Sequence, residues 1–220
     1  MKINEIFKSI SGEAARAGFP VIFIRTYGCN LRCSYCDTVY AIENGEYEEM
    51  TPEQILEWCQ GDSIKRVVIT GGEPLLQPDM PQLIDLLCDT GYEVEVETNG
   101  AVDLASFHNK LQTKRMDLLS YTMDYKTDSS LMSSYMLKEN LEFLGVQDVI
   151  KFVVGSIADL QQACDVLSSN KVEAQVFVSP VFGNIKPKEI VEFVLQNKLY
   201  NWRVQLQLHK LIWPVDMRGV

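Results

Sequence analysis

The sequence predicts an α/β fold, an open partial (β/α) barrel of about six parallel strands with the helices outside. Three features predict it: short β-branched apolar runs alternate with amphipathic stretches, the chain has 220 residues, and no linker or internal repeat interrupts it. Such alternation is typical of right-handed crossovers and a mostly parallel sheet. Because a closed eight-stranded barrel typically takes about 250 residues, we expect an open one, formed by a single domain spanning residues 1–220.

Each predicted strand is a run of apolar and β-branched residues, and each is followed or preceded by a stretch with the spacing of an amphipathic helix. The strands are expected at residues 21–26, 66–70, 93–97, 118–123, 149–154, 174–178 and 203–208. The helices are expected near residues 52–60, 80–90, 104–111, 137–144, 157–168 and 187–197. Thr51, Pro52 and Glu53 form a helix start, with a cap, a proline and an acidic first turn. In such folds, ligands collect at the carboxyl ends of the strands.

Charge and hydropathy restrict the classes of partner. The formal net charge is −10 and the basic residues are scattered, so long-range repulsion disfavours a nucleic-acid partner. We expect a small-molecule substrate instead. No apolar run reaches the roughly 18 residues of a membrane-spanning helix, and residues 1–5 lack the apolar core of a secretory signal. We therefore expect a cytoplasmic protein with no membrane partner.

The six cysteines divide into a group of three and three isolated residues. The grouped thiols are Cys29, Cys33 and Cys36. The isolated ones fall in predicted helices, where we interpret them as small buried apolar residues: Cys59, Cys88 and Cys164.

The spacing Cys-x3-Cys-x2-Cys indicates a metal centre. In a reducing compartment, clustered thiols more often bind metal than form disulfides. Three thiolates on one short loop can hold three corners of a 4Fe–4S cluster and leave the fourth iron without a protein ligand. A structural zinc site usually takes four ligands, and no histidine or fourth cysteine lies nearby in the sequence. A disulfide between two of the three grouped cysteines would leave the third thiol unpaired. We favour the cluster over both.

Two motifs together have the pattern of a known superfamily. The first is the cysteine loop with an aromatic residue, Tyr35, directly before Cys36. The second is Gly71-Gly72-Glu73-Pro74, directly after a predicted strand. With these motifs the sequence resembles the radical S-adenosylmethionine (SAM) superfamily, in which a glycine-rich strand end lies along the methionine part of SAM. A glycine backbone permits that close approach. The resemblance implies a partial barrel of the radical SAM type.

Further segments carry a more specific pattern over nearly the whole chain. They lie at residues 5–7, 11–13, 18–20, 23–25, 36–38, 97–100, 122–126, 208–213 and 218–220. In these segments the sequence resembles the 7-carboxy-7-deazaguanine synthase family of that superfamily. It departs from the family at two places. Ser11-Gly12-Glu13-Ala14 stands where the family usually has Gln-Gly-Glu-Gly, and Asp124-Tyr125 stands where the family has Ser-Pro.

The family resemblance implies a role for each candidate site residue. Contacts with SAM are implied for Tyr35, Cys36, Asp37, Gly71, Gly72, Glu73, Asp124, Tyr125 and Lys126. Contacts with the substrate are implied for Ile10, Ser11, Gly12, Glu13, Arg25, Thr70 and the terminal Val220. The implied metal ligands are Cys29, Cys33 and Cys36 for the 4Fe–4S cluster and Thr38 for Mg²⁺. No side chain is expected to act as a catalytic acid or base.

The resemblance also implies the reaction. SAM binds the open iron, and one electron releases methionine and a 5′-deoxyadenosyl radical. The radical takes a hydrogen from C6 of 6-carboxy-5,6,7,8-tetrahydropterin, which contracts its ring, loses ammonia and becomes 7-carboxy-7-deazaguanine, a precursor in queuosine biosynthesis. The implied enzyme is a carbon–nitrogen lyase that uses a 4Fe–4S cluster, SAM and Mg²⁺. Its expected partners are an electron donor such as flavodoxin or ferredoxin and a second copy in a homodimer.

Two other functions stay open at this point. Asp124 before Lys126 is similar to the activases of glycyl-radical enzymes, which are also radical SAM proteins. A non-catalytic iron–sulfur or zinc protein would instead need a fourth protein ligand. Glu95 and Glu97 are equally compatible with a polar set that lies inside the barrel or faces solvent and with a role in the site. We interpret His209 as bracing the C-terminal segment.

Overall fold

Nine strands form one sheet in the computed structural model, which describes residues 1–215 and 217–220. The strands are β1 (Lys2–Ile10), β2 (Pro20–Thr26), β3 (Glu48–Glu49), β4 (Arg66–Gly71), β5 (Glu93–Thr98), β6 (Leu119–Asp124), β7 (Val149–Val154), β8 (Gln175–Pro180) and β9 (Trp202–Val204). Their order in the sheet is β3-β1-β2-β4-β5-β6-β7-β8-β9. Neighbours from β2 to β9 are parallel, whereas β1 is antiparallel to both β2 and β3. The predicted α/β fold with a mostly parallel sheet is confirmed.

Helices occupy the crossovers between the parallel strands. They are α1 (Pro52–Gln60), α2 (Met80–Asp89), α3 (Leu104–His108), α4 (Glu139–Phe143), α5 (Ile157–Ser168), α6 (Pro187–Gln196) and, after the last strand, α7 (His209–Ile212). The predicted start of α1 is confirmed, because Thr51 and Gln54 form a reciprocal capping box around Pro52. In the described part of the chain, no helix has the length and apolarity that crossing a bilayer requires.

The two faces of the sheet have different chemistry, because successive strand side chains point to opposite sides. On one face, apolar side chains such as Ile24, Ile69 and Val96 join the main core with the helices. On the other face, the same strands carry Arg25, Thr70, Glu97 and similar polar residues, which line a cavity. The fold therefore places charged groups on the side of the sheet that the helix-packed core leaves uncovered.

The strand β1 was not predicted, and its pairing explains why. A register shift between Ile3 and Glu5 interrupts the two-residue alternation that identifies a strand. At the other edge, β9 is shorter than the predicted strand 203–208. The strand ends at Val204, and the side chain of the next residue, Gln205, bonds both the N–H (2.6 Å) and the carbonyl (3.1 Å) of Ala14.

Candidate active site

A cavity of about 470 Å³ lies at the carboxyl ends of the parallel strands, where ligands of such sheets bind. Most of the candidate residues line its wall: Gly12, Glu13, Arg25, Cys29, Cys33, Tyr35, Cys36, Asp37, Thr38, Thr70, Gly71, Gly72, Asp124, Lys126 and Val220. The others lie off the wall: Ile10, Ser11, Glu73 and Tyr125. The fold thus gathers residues from position 12 to position 220 around one space.

The cysteine loop begins directly after β2 and is fixed to several other elements. The N–H of Gly28 donates to the carbonyl of Ala41 at 2.8 Å, and the Ser34 N–H donates to Ser130 O at 3.0 Å. The Tyr35 hydroxyl donates to Val153 O at 3.1 Å, at the end of β7. These contacts hold the loop over the strand ends, so that its three thiols face the same cavity.

The donor set of this loop fits a 4Fe–4S cluster in which three irons each take one soft thiolate and the fourth iron has no protein ligand. Among residues 1–215 and 217–220, no three His, Cys, Asp or Glu side chains form a ready site for a single ion. Burial is the main reason that the pKa values of the Cys29 and Cys33 thiols are raised. Positive charge from bound iron is what would favour their thiolate forms.

The glycine pair at the end of β4 supports the cysteine loop. Gly71 has a φ of +139°, and a side chain there would collide with the backbone of Thr26. A side chain at Gly72 would collide with the carbonyl of Gly28. The N–H of Glu73 donates to that same carbonyl at 2.8 Å. The two glycines are therefore needed for close contact between two protein backbones, in addition to the close approach of SAM that the resemblance implies.

Glu73 lies behind the cavity wall and joins β4 to β5. Its fully buried carboxylate accepts hydrogen bonds from Thr98 Oγ1 at 2.9 Å, the Asn99 N–H at 2.7 Å and the Leu75 N–H at 3.1 Å. Burial raises its pKa to about 7, against the opposite effect of these donors. Glu73 is thus positioned to hold the ends of two strands together.

A chain of charged residues crosses the polar face of the sheet. Lys151 pairs with Glu13 at 2.7 Å and lies 3.7 Å from Asp124, which pairs with Lys126 at 2.9 Å. Gln207 Nε2 also donates to Glu13 at 2.7 Å. Burial opposes ionisation of Glu13, but Lys151 and Gln207 prevail and lower its pKa to about 2. The same acidic neighbours raise the pKa of Lys151 despite its burial, so both groups stay ionised.

Arg25 presents the end of its guanidinium to the cavity. Its Nε donates to Glu5 Oε1 at 2.8 Å, and the Tyr40 hydroxyl donates to the same oxygen at 3.2 Å. The two terminal nitrogens have no hydrogen-bond partner among the described residues. Such a fork can bind a carboxylate with two parallel hydrogen bonds. Beside it, Thr70 Oγ1 donates to Glu97 at 2.7 Å.

The C-terminal segment closes one side of the cavity through contacts that no local sequence pattern predicts. The Leu208 N–H donates to Gly12 O at 3.1 Å, and the His209 ring packs where a side chain at Gly12 would lie. Lys210 pairs with Asp37 at 2.8 Å, and this pair lowers the Asp37 pKa against the opposite effect of desolvation. His209 therefore lines the cavity. The resemblance of residues 208–213 to the family was the available signal.

Glu95 is a buried acid on the polar face of β5 and gives a testable pH dependence. Burial is the main reason that its pKa is raised to about 7, and the charge of Glu97 is the second. Two contacts act in the opposite direction: Thr122 donates a hydrogen bond to Glu95 at 2.5 Å, and Arg16 lies 3.5 Å away. An acid with a raised pKa destabilises the fold as it ionises, so stability falls as pH rises from about 4.5 through 7. Between pH 5 and 8, ionisation of Glu95 lowers the unfolding free energy of the wild type. In Glu95→Gln this contribution is absent, and we expect the loss of stability over that range to be smaller by up to about 3 kcal/mol.

Chemical denaturation at the two pH values measures this effect. The matched control is Glu93→Gln on the same strand, where the side chain is 44% exposed; it should leave the pH dependence as in the wild type. A Glu95→Gln variant with an unchanged pH dependence would contradict the assignment.

Known proteins match this chain in sequence and in fold. The model of the radical SAM superfamily matches residues 23–195. The 7-carboxy-7-deazaguanine synthase of Clostridium acetobutylicum is 44% identical over 100% of this chain and 99% of the relative. That of Thermoplasma acidophilum is 34% identical over 100% of both. The crystal structure of QueE from Escherichia coli has a TM-score of 0.72, with 24% identity over 94% of this chain and 93% of the other, and shows a shared fold.

Proposed function

The chain belongs to the 7-carboxy-7-deazaguanine synthase family of the radical SAM superfamily, and from this premise we propose how its residues serve the reaction. The reaction of the family converts 6-carboxy-5,6,7,8-tetrahydropterin into 7-carboxy-7-deazaguanine, with ring contraction and loss of ammonia. Its cofactors are a 4Fe–4S cluster, SAM and Mg²⁺. The observation that carries the residue assignment is that three thiols and an Arg25 fork face one cavity of about 470 Å³.

When bound, the cluster and SAM supply a carbon radical that removes a hydrogen atom from the substrate. Cys29, Cys33 and Cys36 hold the cluster in this proposal. The residues that bind SAM are Tyr35, Cys36, Asp37, Gly71, Gly72, Asp124 and Lys126, all on the cavity wall. Glu73 and Tyr125 act from behind the wall. Tyr125 is buried with its ring 5.5 Å from that of Phe152, which fixes the backbone between Asp124 and Lys126.

The substrate end of the cavity is formed by charged residues and by the C-terminal segment. Arg25 binds the substrate carboxylate, Thr70 and Glu13 bind polar atoms of the pterin, and Val220 contacts it from the C-terminal segment. Thr38 contributes a hydroxyl to Mg²⁺, which prefers oxygen ligands. Because a carbon radical attacks most nearby C–H bonds, these contacts serve mainly to present one hydrogen atom.

Ile10, Ser11 and Ala14 hold the loop that presents Gly12 and Glu13. The Ser11 N–H donates to Phe19 O at 2.8 Å and its hydroxyl to Glu13 O at 3.1 Å. Ala14, which replaces a family glycine, has a left-handed φ of +57° that glycine adopts more easily. Its methyl group packs into a buried cluster with Val149 and Phe177. This packing supports the proposal that the loop keeps the family conformation despite the substitution.

Arg25→Lys tests the substrate contact. Lysine keeps the positive charge but lacks the planar fork, so the carboxylate loses one hydrogen bond of a charged pair. We expect kcat/KM to fall by roughly 10- to 100-fold, the equivalent of about 1.5–3 kcal/mol, mainly through KM. Steady-state kinetics measures this, and Arg66→Lys, at the far end of β4, is the control. Equal KM values for Arg25→Lys and wild type would contradict the contact.

The function itself is tested by anaerobic reconstitution with iron and sulfide, followed by SAM, dithionite, Mg²⁺ and 6-carboxytetrahydropterin. We expect 7-carboxy-7-deazaguanine in amounts that exceed the 5′-deoxyadenosine formed, by mass spectrometry, because loss of ammonia alone balances the conversion and no hydrogen atom is removed in the net reaction. Formation of 5′-deoxyadenosine without the deazapurine would contradict the substrate and leave radical SAM chemistry in place. A glycyl-radical activase would give that second result.

Four further assignments complete the proposal. We propose one domain, a cytoplasmic location where thiols stay reduced, and a flavodoxin or ferredoxin as electron donor. We also propose a homodimer, because large apolar side chains stay exposed near the cavity mouth: Phe182, Leu211 and Ile212. Light scattering that gives the mass of a 25.0 kDa monomer at working concentration would contradict the homodimer.

A further inference from the structure

Asn99 follows β5 and reaches the cysteine loop with its side chain. It lies in the segment Glu97-Thr98-Asn99-Gly100, and none of the roles assigned above uses it. Its side chain is 7% exposed. The Asn99 Nδ2 lies 3.5 Å from the sulfur of Cys29 and 2.8 Å from the side-chain oxygen of Asn30. A buried amide group therefore touches one of the three thiols that are proposed to hold the cluster.

The orientation of this amide is fixed by its other neighbours. The N–H of Ala101 donates to Asn99 Oδ1 at 2.9 Å, so the oxygen faces Ala101 and the NH₂ group faces Cys29. The backbone of Asn99 is fixed as well, because its N–H donates to the buried carboxylate of Glu73 at 2.7 Å. Asn99 thus has little freedom to turn away from the sulfur.

Cys29 differs from the other two thiols of the loop. It also accepts a hydrogen bond from the Leu31 N–H at 3.4 Å. In the described part of the chain, it alone of the three accepts bonds from N–H groups, whereas Cys36 has the Thr38 hydroxyl at 3.7 Å. Hydrogen bonds to cluster sulfurs stabilise the extra negative charge of the reduced state and raise the reduction potential. Of the two N–H donors to Cys29, only that of Asn99 belongs to a side chain.

We propose that Asn99 is a positioning residue that tunes the cluster through Cys29, by donating a hydrogen bond that makes one-electron reduction easier. The electron comes from the donor protein, or from dithionite in a test, and the cluster becomes one unit more negative. The N–H bond to the sulfur offsets part of that added charge. The inference rests on the proposed ligand role of Cys29.

Asn99→Ala removes the donor and keeps the backbone bond to Glu73. In reconstituted protein without SAM, we expect the ratio of reduced to oxidised cluster at a fixed potential to fall about tenfold, which is a downward shift of 59 mV for one electron. Redox titration with dithionite and mediators, followed by EPR, measures it. Ser34→Ala is the control, since it removes a bond from the same loop to Ser129 O without touching a sulfur.

The inference is overturned if Asn99→Ala keeps the wild-type potential or shifts it no more than Ser34→Ala does. Asn99→Asp, which has the same shape and still accepts the Ala101 N–H, should lower the potential at least as far. If both variants lose the cluster, pulsed EPR of the reduced wild type labelled with ¹⁵N-asparagine tests whether Asn99 donates a hydrogen bond to the Cys29 sulfur. Coupling to ¹⁵N supports the bond, and its absence overturns it. A normal cluster in Cys29→Ala would instead overturn the ligand assignment.

Discussion

We expect that replacing any one of Cys29, Cys33 and Cys36 by alanine will abolish turnover and remove most of the bound iron and sulfide. Each thiol would hold a different iron of the cluster, and the described residues offer no spare thiol on the cavity wall. Loss of one ligand therefore exposes an iron that the protein cannot hold by other means. We expect activity to fall by more than about 10³-fold, as when the group that carries the chemistry is removed.

The matched control replaces the three remaining cysteines together. Cys59 and Cys88 are fully buried in α1 and α2, and Cys164 is half-buried in α5. Their loss leaves small cavities that cost about 1 kcal/mol each, but iron content and activity should stay as in the wild type. Iron analysis and the product assay check both sets of variants. Loss of the cluster from the control protein would indicate a fourth protein ligand and contradict an open iron.

The second large effect is expected from Lys151→Met. It leaves the Glu13 carboxylate buried without its partner at 2.7 Å. Removing one member of a buried ion pair typically costs about 3–5 kcal/mol, and for a protein of this size that lowers Tm by about 10 °C. Activity should fall as well, because the loop that carries Gly12 loses its contact with β7.

Two further variants separate the buried pair from the loss of a charge in general. Lys171→Met breaks a pair with Glu173 in which the lysine is 82% exposed, and it should change stability by less than about 0.5 kcal/mol. In the double variant Glu13→Gln with Lys151→Met, the loss should be smaller than in Lys151→Met alone, since position 13 then holds no unpaired charge and Asp124 keeps its pair with Lys126. Calorimetry measures the Tm values. A Lys151→Met protein as stable as Lys171→Met would contradict the buried pair.

The parallel core of the fold was predictable because it depends on local patterns. Apolar β-branched runs such as β7 and capped helices such as α1 carry their own signals in a few consecutive residues. The strands near the two edges of the sheet were not predictable in the same way. The bulge in β1 interrupts its alternation, and directly after β9 the chain contacts Ala14, 191 positions away, through Gln205.

In the candidate site, too, the local motifs were predictable and the long-range contacts were not. The cysteine loop and the glycine pair could be found because each is a compact motif. The contacts that hold them could not, because Glu13 and Lys151 are 138 positions apart and Glu13 and Gln207 are 194 apart. The reason for the glycine pair was also hidden, since it lies in the backbone of Thr26 and Gly28. Local sequence identified the chemistry, and long-range packing determines its geometry.

The most direct test of the account is EPR of the reconstituted, reduced protein before and after addition of SAM labelled with ¹⁵N at its amino group. Three protein ligands leave one iron available to the amino acid end of SAM. We predict a changed spectrum and a coupling to ¹⁵N in the wild type. An unchanged spectrum without that coupling, in protein that holds its full complement of iron, would contradict the account.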